Sequence, residues 1–267
     1  MTKSKTAVPM RGAAILLSLT AWTVSWTPAV MRAQAPDLSG VYFPILRDEL
    51  NRAGGPTPGS PPPRPTQGSP FGDGRQGREG APSLTPEYMA RWEVIRKTRA
   101  AGSPEYDNFI RCLPLGTPSM MLSNYPMEVV QNKDKIIFYN ELNDSIRRVY
   151  LDGRKPTQAK LDDPTYAGYS TGHWESDTLV VDTVAIHTNA IIESISVVFT
   201  PHSDAMTVRE RIRFISPEVL ADRIAVTDPT AFTKPWETVQ RYRRAKPGSG
   251  RDELREFACA EGFGVTK

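Results

Sequence analysis

One carboxylate interrupts an apolar strand face in the second half of the chain. Residues 205–214 alternate with the period of two that is typical of a β-strand. One face of this run must meet water because it carries three arginines: Arg209, Arg211 and Arg213. The other face then points inward and carries Met206, Val208, Glu210, Ile212 and Phe214. Burying an unpaired, ionised carboxylate is costly, so we predict that Glu210 is ion-paired, is protonated with a raised pKa, or faces a water-filled cavity.

A second carboxylate, Glu193, lies in a similar pattern. In the run 190–199 it shares a face with four apolar side chains: Ile191, Ile195, Val197 and Phe199. Each acid also has a structural interpretation. Glu210 could pair with an inward arginine such as Arg148, which shares a strand face with Ile146 and Tyr150. Glu193 could lie on an edge strand or a twisted strand, where its carboxylate would reach water.

Two histidines lie close to acids in the sequence. His173 shares a predicted strand face with Glu175, and Asp204 follows His202 just before the Glu210 strand. If these segments are neighbours in space, a histidine and a carboxylate could transfer a proton to or from a bound ligand. They could instead bind a divalent metal, or simply form hydrogen bonds in turns. Since no His-x-His or His-Glu-x-x-His element is present, we predict no metal and no cofactor.

Composition argues against several classes of function. The chain has 267 residues and a formal charge of +3, but its first 35 residues hold four basic residues and no acid. The remainder carries 29 basic against 30 acidic residues. This balance argues against a nucleic-acid or anionic-membrane partner, which requires lysine and arginine in excess on one face. The chain also lacks a Gly-x-Ser-x-Gly nucleophile motif and a glycine-rich phosphate loop.

Residues 1–35 predict a cleaved export signal. They combine a basic start, an apolar run over 12–26 and Ala33-Gln34-Ala35, a small-x-small cleavage site. The alternative is an uncleaved membrane anchor, although the run is shorter than the roughly 20 residues that a spanning helix needs. We therefore predict a periplasmic or secreted body with no stable membrane insertion after cleavage. In such a compartment we expect Cys112 and Cys259 to form a disulfide, the alternative being a reactive or metal-binding pair.

The mature chain divides into three parts. Residues 36–53 form a first strand region, and 54–84 form a loop. From 54 to 86 there are nine prolines and eight glycines in 33 residues, which predicts disorder. Residues 85–267 form the main domain. It opens with an amphipathic helix that has Thr85 as its N-cap, Pro86 at its first position and Glu87 in its first turn, and that ends near residue 101.

The main domain then changes to a period of two, with short turn signals between the runs. This pattern predicts an all-β fold, an antiparallel meander that closes fully or partly into a lipocalin-like barrel to hide its strand edges. About ten strands are predicted: 127–131, 135–142, 145–151, 171–175, 178–183, 190–199, 205–214, 219–226, 236–243 and 252–259.

Seven short motifs occur in order along the chain: Leu-Ser-Gly-Val-Tyr at 38–42, Arg-Cys-Leu-Pro at 111–114, Tyr-Pro-Met-Glu at 125–128, Arg-Arg-Val-Tyr-Leu-Asp-Gly-Arg at 147–154, Gly-His-Trp-Glu at 172–175, Pro-His-Ser-Asp at 201–204 and Glu-Arg at 210–211. On this set the chain resembles a large group of uncharacterised exported bacterial proteins. The resemblance implies a family but no function. The Gly40-x-Tyr42 opening separately resembles the start of lipocalin-type barrels.

Three hypotheses for function follow. The first is an exported enzyme that acts on a hydrophobic or aromatic small molecule by proton transfer, as an isomerase, lyase or hydrolase. Its predicted catalytic residues are His173, His202 and Glu210, and its predicted substrate-binding residues are Glu193, Arg148, Trp174, Tyr125 and Asp204. The second is a non-catalytic, lipocalin-like binding protein with a cavity lined by Trp174, Phe199, Met206 and Phe214. The third is an envelope structural protein that makes its contacts through residues 54–86.

Overall fold

The computed structural model describes residues 1–2, 35–45, 81–193, 199–257 and 259. Within these residues, nine strands are present: β1 (Gly40–Pro44), β2 (Met127–Gln131), β3 (Lys135–Asn140), β4 (Ser145–Tyr150), β5 (Tyr169–Glu175), β6 (Thr178–Val184), β7 (Thr207–Ser216), β8 (Val219–Thr227) and β9 (Trp236–Arg244). The helices are α1 (Pro86–Ala100), α2 (Ser119–Leu122) and α3 (Gln158–Leu161), with a 3-10 turn at Leu142–Asp144. Both the predicted all-β class and the predicted amphipathic helix are confirmed.

The nine strands close into one barrel in sequence order, with β1 paired to β9. Every pair is antiparallel except β4 and β5, which are parallel. A closed barrel with an odd number of strands needs at least one parallel pair. The long connection between β4 and β5, which contains α3, supplies the crossover that a parallel pair requires.

Two predicted strands are wrong. Residues 190–193 lie outside the named strands, with only an isolated bridge between Ile192 and Thr200, and 251–257 also form no strand. Residues 194–198 and 258 lie outside the described residues. Two apolar residues of the described part of 190–199 have a packing role instead. Ile191 and Phe199 lie with Ile95 of α1 in a small cluster separate from the main core.

Several predictions on domain organisation fall outside the described residues. These include nearly all of the predicted export signal at 1–35 and the parts of the first strand region and of the proline-rich loop that lie between 46 and 80. Among the described residues, no helix is long and apolar enough to cross a membrane.

The orientation of β7 follows its alternation. Glu210 and Ile212 lie inside the barrel with no exposed surface, and the three arginines that alternate with them along β7 lie outside. The orientation predicted for β4 is wrong. Arg147 points inward and is fully buried, whereas Arg148 is exposed and its neighbour Ile146 is 43% exposed. The apolar pattern of β4 is misleading because its inward guanidinium has a partner inside the barrel.

Helix α2 closes one end of the barrel. Met120 and Met121 are buried there, and such burial stabilises by roughly 1.5–3 kcal/mol for each side chain. The backbone of α2 is tied to the barrel as well. The Asn140 side-chain amide donates to the Met120 carbonyl over 3.1 Å, and the Tyr242 hydroxyl donates to the Met121 carbonyl. The end of the barrel is therefore filled by packed side chains where α2 lies.

The predicted disulfide between Cys112 and Cys259 is confirmed, with Cα atoms 5.7 Å apart. It joins the segment before α2 to the C-terminal segment across 147 residues of sequence. In the chain-entropy account, a loop of this length contributes about 4–5 kcal/mol to stability. The disulfide also fixes the loops that lie next to the cavity described below.

Candidate functional site

The centre of the barrel holds a buried ion pair. Both terminal nitrogens of the Arg147 guanidinium donate to Glu210, with Nη1 lying 2.8 Å from Oε1 and Nη2 contacting Oε2. Both side chains are 0% exposed. This is the bidentate geometry in which an arginine compensates a carboxylate most completely. Glu210 thus matches the structural alternative from the sequence, with Arg147 in the place expected for Arg148.

Two hydroxyls on β5 and β6 complete the arginine's hydrogen bonds. Nε of Arg147 donates to Ser170 Oγ over 3.0 Å, and Nη2 donates to Thr183 Oγ1 over 2.7 Å. The two hydroxyl oxygens are 2.8 Å apart and hydrogen-bonded to each other. The guanidinium is therefore bound on several sides by neighbouring strands, so the pair is held in a fixed geometry.

A second acid, Asp222 on β8, lies in the same interior. It is fully buried, and neither of its oxygens accepts a hydrogen bond among the described residues. Its polar neighbour is the Glu210 carboxylate, to which a protonated Asp222 can donate. Burial, followed by the negative charge of Glu210, raises its pKa well above the ordinary value. Burial likewise raises the pKa of Tyr242 on β9. Arg147 thus has Glu210 as its bonded carboxylate, and burial favours the protonated form of Asp222 beside the pair. Sequence reasoning gave Asp222 no role.

His202 lies in the loop before β7 and is only 3% exposed. Its Nδ1 is 2.7 Å from the Ser203 carbonyl oxygen, and its Nε2 is 3.0 Å from the Ala190 carbonyl oxygen. Burial lowers the pKa of the ring. Each ring nitrogen lies against a backbone carbonyl oxygen, and the neutral ring donates its single N–H to one of the two, so His202 presents no free nitrogen to a ligand.

His173 lies on the outer wall of the barrel. Its side chain is 59% exposed, and Nε2 is 3.3 Å from a carboxylate oxygen of Glu175, which also pairs with Arg211. The three predicted catalytic residues therefore lie in different places: His173 outside, His202 in a loop and Glu210 inside. The structure does not bring them together in one site.

The predicted substrate-binding residues also lie in different places. Arg148 and Asp204 are exposed, and Trp174 packs against the main core. Phe199 belongs to the separate small cluster, so it does not share a cavity with Phe214 and the other aromatic residues of the predicted lipocalin-like pocket. Glu193 and Tyr125, in contrast, do come together.

Glu193 and Tyr125 line a cavity of about 320 Å³ at the end of the barrel that α2 closes. Its walls come from α2, from the segments on either side of that helix, from the turn before β4 and from the β6–β7 connection. Ten residues line it: Asp107, Phe109, Leu115, Ser119, Leu122, Ser123, Asn124, Tyr125, Leu142 and Glu193. The volume suits a small organic molecule.

Aromatic rings form one side of this cavity. The ring centroids of Phe109 and Tyr125 are 6.3 Å apart, and Phe257 lies 6.0 Å from the first and 6.2 Å from the second. Such spacings are typical of tilted and edge-to-face aromatic packing. The adjoining disulfide holds this cluster, since Cys259 Sγ lies 3.7 Å from the Phe109 carbonyl oxygen.

The Glu193 carboxyl group is the unpaired acid of the cavity. Its backbone amide donates to Ser119 Oγ over 2.9 Å, which anchors the residue to α2. Its side chain has no hydrogen bond or ion pair among the described residues. Burial raises the pKa of Glu193 to about 7, with a smaller contribution in the same direction from Asp107 and an opposing one from Arg99. The group therefore titrates near neutral pH.

The other acid of the cavity is already compensated. Asp107 accepts a hydrogen bond from Arg99 Nη1 over 2.6 Å, and its second oxygen accepts from the Ile110 amide over 3.0 Å. Sequence reasoning missed Asp107 and Phe109, because no periodic pattern marks the irregular segment before α2. The disulfide was the one available signal, since it predicts an ordered segment around Cys112.

No group of three or more histidine, cysteine, aspartate or glutamate side chains within the described residues is arranged to hold a metal ion. No protein-family model matches the chain, and a search of curated proteins finds no similar sequence. The resemblance to uncharacterised exported bacterial proteins accordingly stays a prediction.

Proposed function

We propose that the protein binds a small molecule with an aromatic or apolar body and a basic nitrogen, in the cavity at the α2 end of the barrel. The observation that carries this proposal is an unpaired carboxyl group, Glu193, facing an aromatic-walled cavity of about 320 Å³. An apolar pocket with few polar groups is the usual form of a small-molecule site. The ligand is then the missing partner of Glu193.

The charge of the cavity selects among ligands. Because Asp107 is paired with Arg99, Glu193 supplies the uncompensated charge once it ionises. A cationic amine would satisfy that charge in a partly dry site, where the attraction is stronger than in water. A carboxylate ligand would instead meet repulsion. The predicted class is therefore an arylalkylamine rather than an aromatic acid.

Binding should depend on pH with a definite sign. A cation stabilises the ionised form of Glu193 and so lowers its pKa in the complex. Below a pH of about 7 the Glu193 carboxyl group of the free protein is protonated, and this proton must dissociate before a cation can pair with it. Above that pH the carboxylate is already ionised. Affinity for an amine is therefore expected to rise as pH increases through 7, and then to level off while the amine stays protonated.

Benzylamine is a suitable probe, with benzyl alcohol and benzoate as neutral and anionic relatives. Calorimetry should show that benzylamine binds best at pH 8 and that the Glu193→Gln variant loses about tenfold or more in affinity, the size of one charge-assisted contact. Glu218→Gln, an exposed acid paired with Lys246, is the matched control and should bind as the wild type does. Equal affinity for benzylamine and benzoate, or an unaltered Glu193→Gln variant, would refute the proposal.

A second candidate is acid–base catalysis in the same cavity, with Glu193 as the base in place of the predicted trio. A carboxyl group with a pKa of about 7 is matched to proton transfer at neutral pH. It would remove a proton from a carbon acid of the bound molecule and return one to the product, as an isomerase does.

Deuterium exchange tests this second candidate without knowledge of the substrate. Phenylacetone in D₂O exchanges its acidic C–H protons when a base removes them, and proton NMR follows the loss of signal. We expect exchange to accelerate with the wild type, with a rate that rises through pH 7, and to fall to the background rate with Glu193→Gln. Equal rates with both proteins would leave binding as the function.

We also propose that the protein works outside the cytoplasm. A disulfide such as Cys112–Cys259 forms and persists in an oxidising compartment. The predicted export signal leads to the same conclusion, and the mass of the mature protein would reveal cleavage near residue 35.

A further inference from the structure

The outer wall of the barrel carries a concentration of arginines that the cavity at the barrel end does not use. The outward side chains of β7, β8 and β9 surround a depression of about 350 Å³. Four arginines line it: Arg211, Arg213, Arg223 and Arg241. We call this surface the arginine face.

Strand register explains the depression. Arg213 on β7 pairs with Ala221 on β8, which in turn pairs with Arg241 on β9. A methyl group thus lies between two long cationic side chains. From the strand spacing, the two arginine Cα atoms are roughly 10 Å apart. Ala221 forms the floor of the depression, and the guanidinium groups are free to converge above it.

The arginine face is only partly neutralised. Arg211 pairs with Glu175 over 2.9 Å, and Arg223 pairs with Glu237 over 2.6 Å. Among the described residues, neither Arg213 nor Arg241 has a carboxylate partner. Two positive charges are therefore uncompensated on either side of Ala221.

The four arginines differ in how their charges are balanced. Arg211 and Arg223 lie directly opposite each other on adjacent strands, where like charges repel, and their glutamate partners offset that repulsion. Arg213 and Arg241 have no such partner among the described residues. A bound anion would supply one, because a guanidinium fork matches the geometry of phosphate and carboxylate oxygens.

We propose that the arginine face binds a phosphate monoester. Two unpaired guanidinium groups match a doubly charged tetrahedral anion, whereas a single carboxylate would need only one of them. Ile215 and Val239 at the same depression are 49% and 46% exposed, and they offer apolar contact to the organic part of the ligand. The phosphate is carried by a soluble molecule or by a lipid headgroup, and these two sources share the chemistry recognised here.

Two variants test the site by different physical means. Arg213→Gln/Arg241→Gln removes the two uncompensated charges, and Ala221→Leu fills the floor of the depression without changing any charge. Arg91→Gln/Arg96→Gln is the matched control, because it lowers the net charge equally on the exposed face of α1. Circular dichroism verifies that each variant is folded.

Phenyl phosphate is the soluble probe, titrated by calorimetry at low ionic strength. Vesicles of phosphatidylcholine with and without phosphatidic acid supply the lipid source. We expect saturable binding to at least one of them, weakened about tenfold or more by Arg213→Gln/Arg241→Gln and also weakened by Ala221→Leu. The control should bind as the wild type does. Binding to phenyl phosphate identifies a soluble ligand, and binding to phosphatidic acid alone identifies a lipid. No saturable binding to either, or equal weakening in the control, would overturn the proposal.

Discussion

Arg147 and Glu210 show how a charged pair can be structural inside a barrel. Each ion leaves water at a cost of several kcal/mol, and only close pairing with further hydrogen bonds offsets that cost. Here Ser170 and Thr183 supply those additional bonds. A carboxylate on an apolar strand face was correctly predicted to be exceptional, but its explanation is a partner and not a ligand.

A double-mutant cycle tests this interpretation. Glu210→Leu and Arg147→Met alone should each destabilise the protein by about 3–5 kcal/mol, because each leaves an unpaired buried charge. The double variant should lose less than either single variant, since it removes both charges. Urea denaturation measures the free energy of unfolding of the wild type, the two single variants and the double variant. Strictly additive losses would mean that the two side chains do not depend on each other.

At the scale of residues the sequence predicted the inward position of Glu210 and singled out Glu193, which lines the cavity, but it did not predict the correct arginine. Alternation in β4 favours Ile146 and Tyr150 as the inward face, and only the partner across the barrel shows that Arg147 is the buried one. Asp222 is a different case, because it shares its strand face with Leu220, Ile224 and Val226. The alternation that marked Glu210 could therefore have found it, whereas the choice of Arg147 depends on a cross-barrel neighbour that a linear pattern does not contain.

At the scale of elements, the β6–β7 connection shows where periodicity fails. Residues 190–193 were predicted as the start of a strand, but they lie in a loop whose Ala190 carbonyl contacts the His202 ring. Ile191 of this loop packs with Ile95 of α1, and the Glu193 amide donates to Ser119 Oγ of α2. Glu193 was singled out from the sequence, although the element that holds it was not predicted.

The two predicted catalytic histidines should differ in their contribution to stability. His202→Ala should destabilise the protein by about 1–3 kcal/mol, because it removes the buried ring and its hydrogen bond to a loop carbonyl, and the Ala190 carbonyl loses its ring neighbour. His173→Ala, on the exposed wall, should change stability by no more than about 0.5 kcal/mol. Thermal denaturation of the two variants measures this difference. A silent His202→Ala, or an equally damaging His173→Ala, would contradict the assigned roles.

For the molecule as a whole, the barrel is the scaffold and its end carries the cavity. The likeness to lipocalins led us to predict a ligand inside the barrel, but an ion pair, hydroxyls and a second acid occupy the centre there. The class, most strand positions, the helix and the disulfide were predictable because they depend on local alternation, composition and compartment. The cavity was not, because it is assembled from irregular segments.

Whole-chain charge was similarly uninformative about local charge. A nearly neutral body argued against anionic partners, yet register places four arginines around Ala221 on one wall. Counting residues cannot reveal such a concentration, because it arises from three strands that are separated in sequence.

The titration of Glu193 tests the central claim most directly. In protein labelled with ¹³C at glutamate side-chain carbons, the Glu193 signal can be assigned by its loss in Glu193→Gln and followed from acidic to basic pH. The account predicts a midpoint of about 7 in the free protein and a lower midpoint when benzylamine is present. A midpoint near the ordinary glutamate value of 4.5, unaffected by benzylamine, would contradict it.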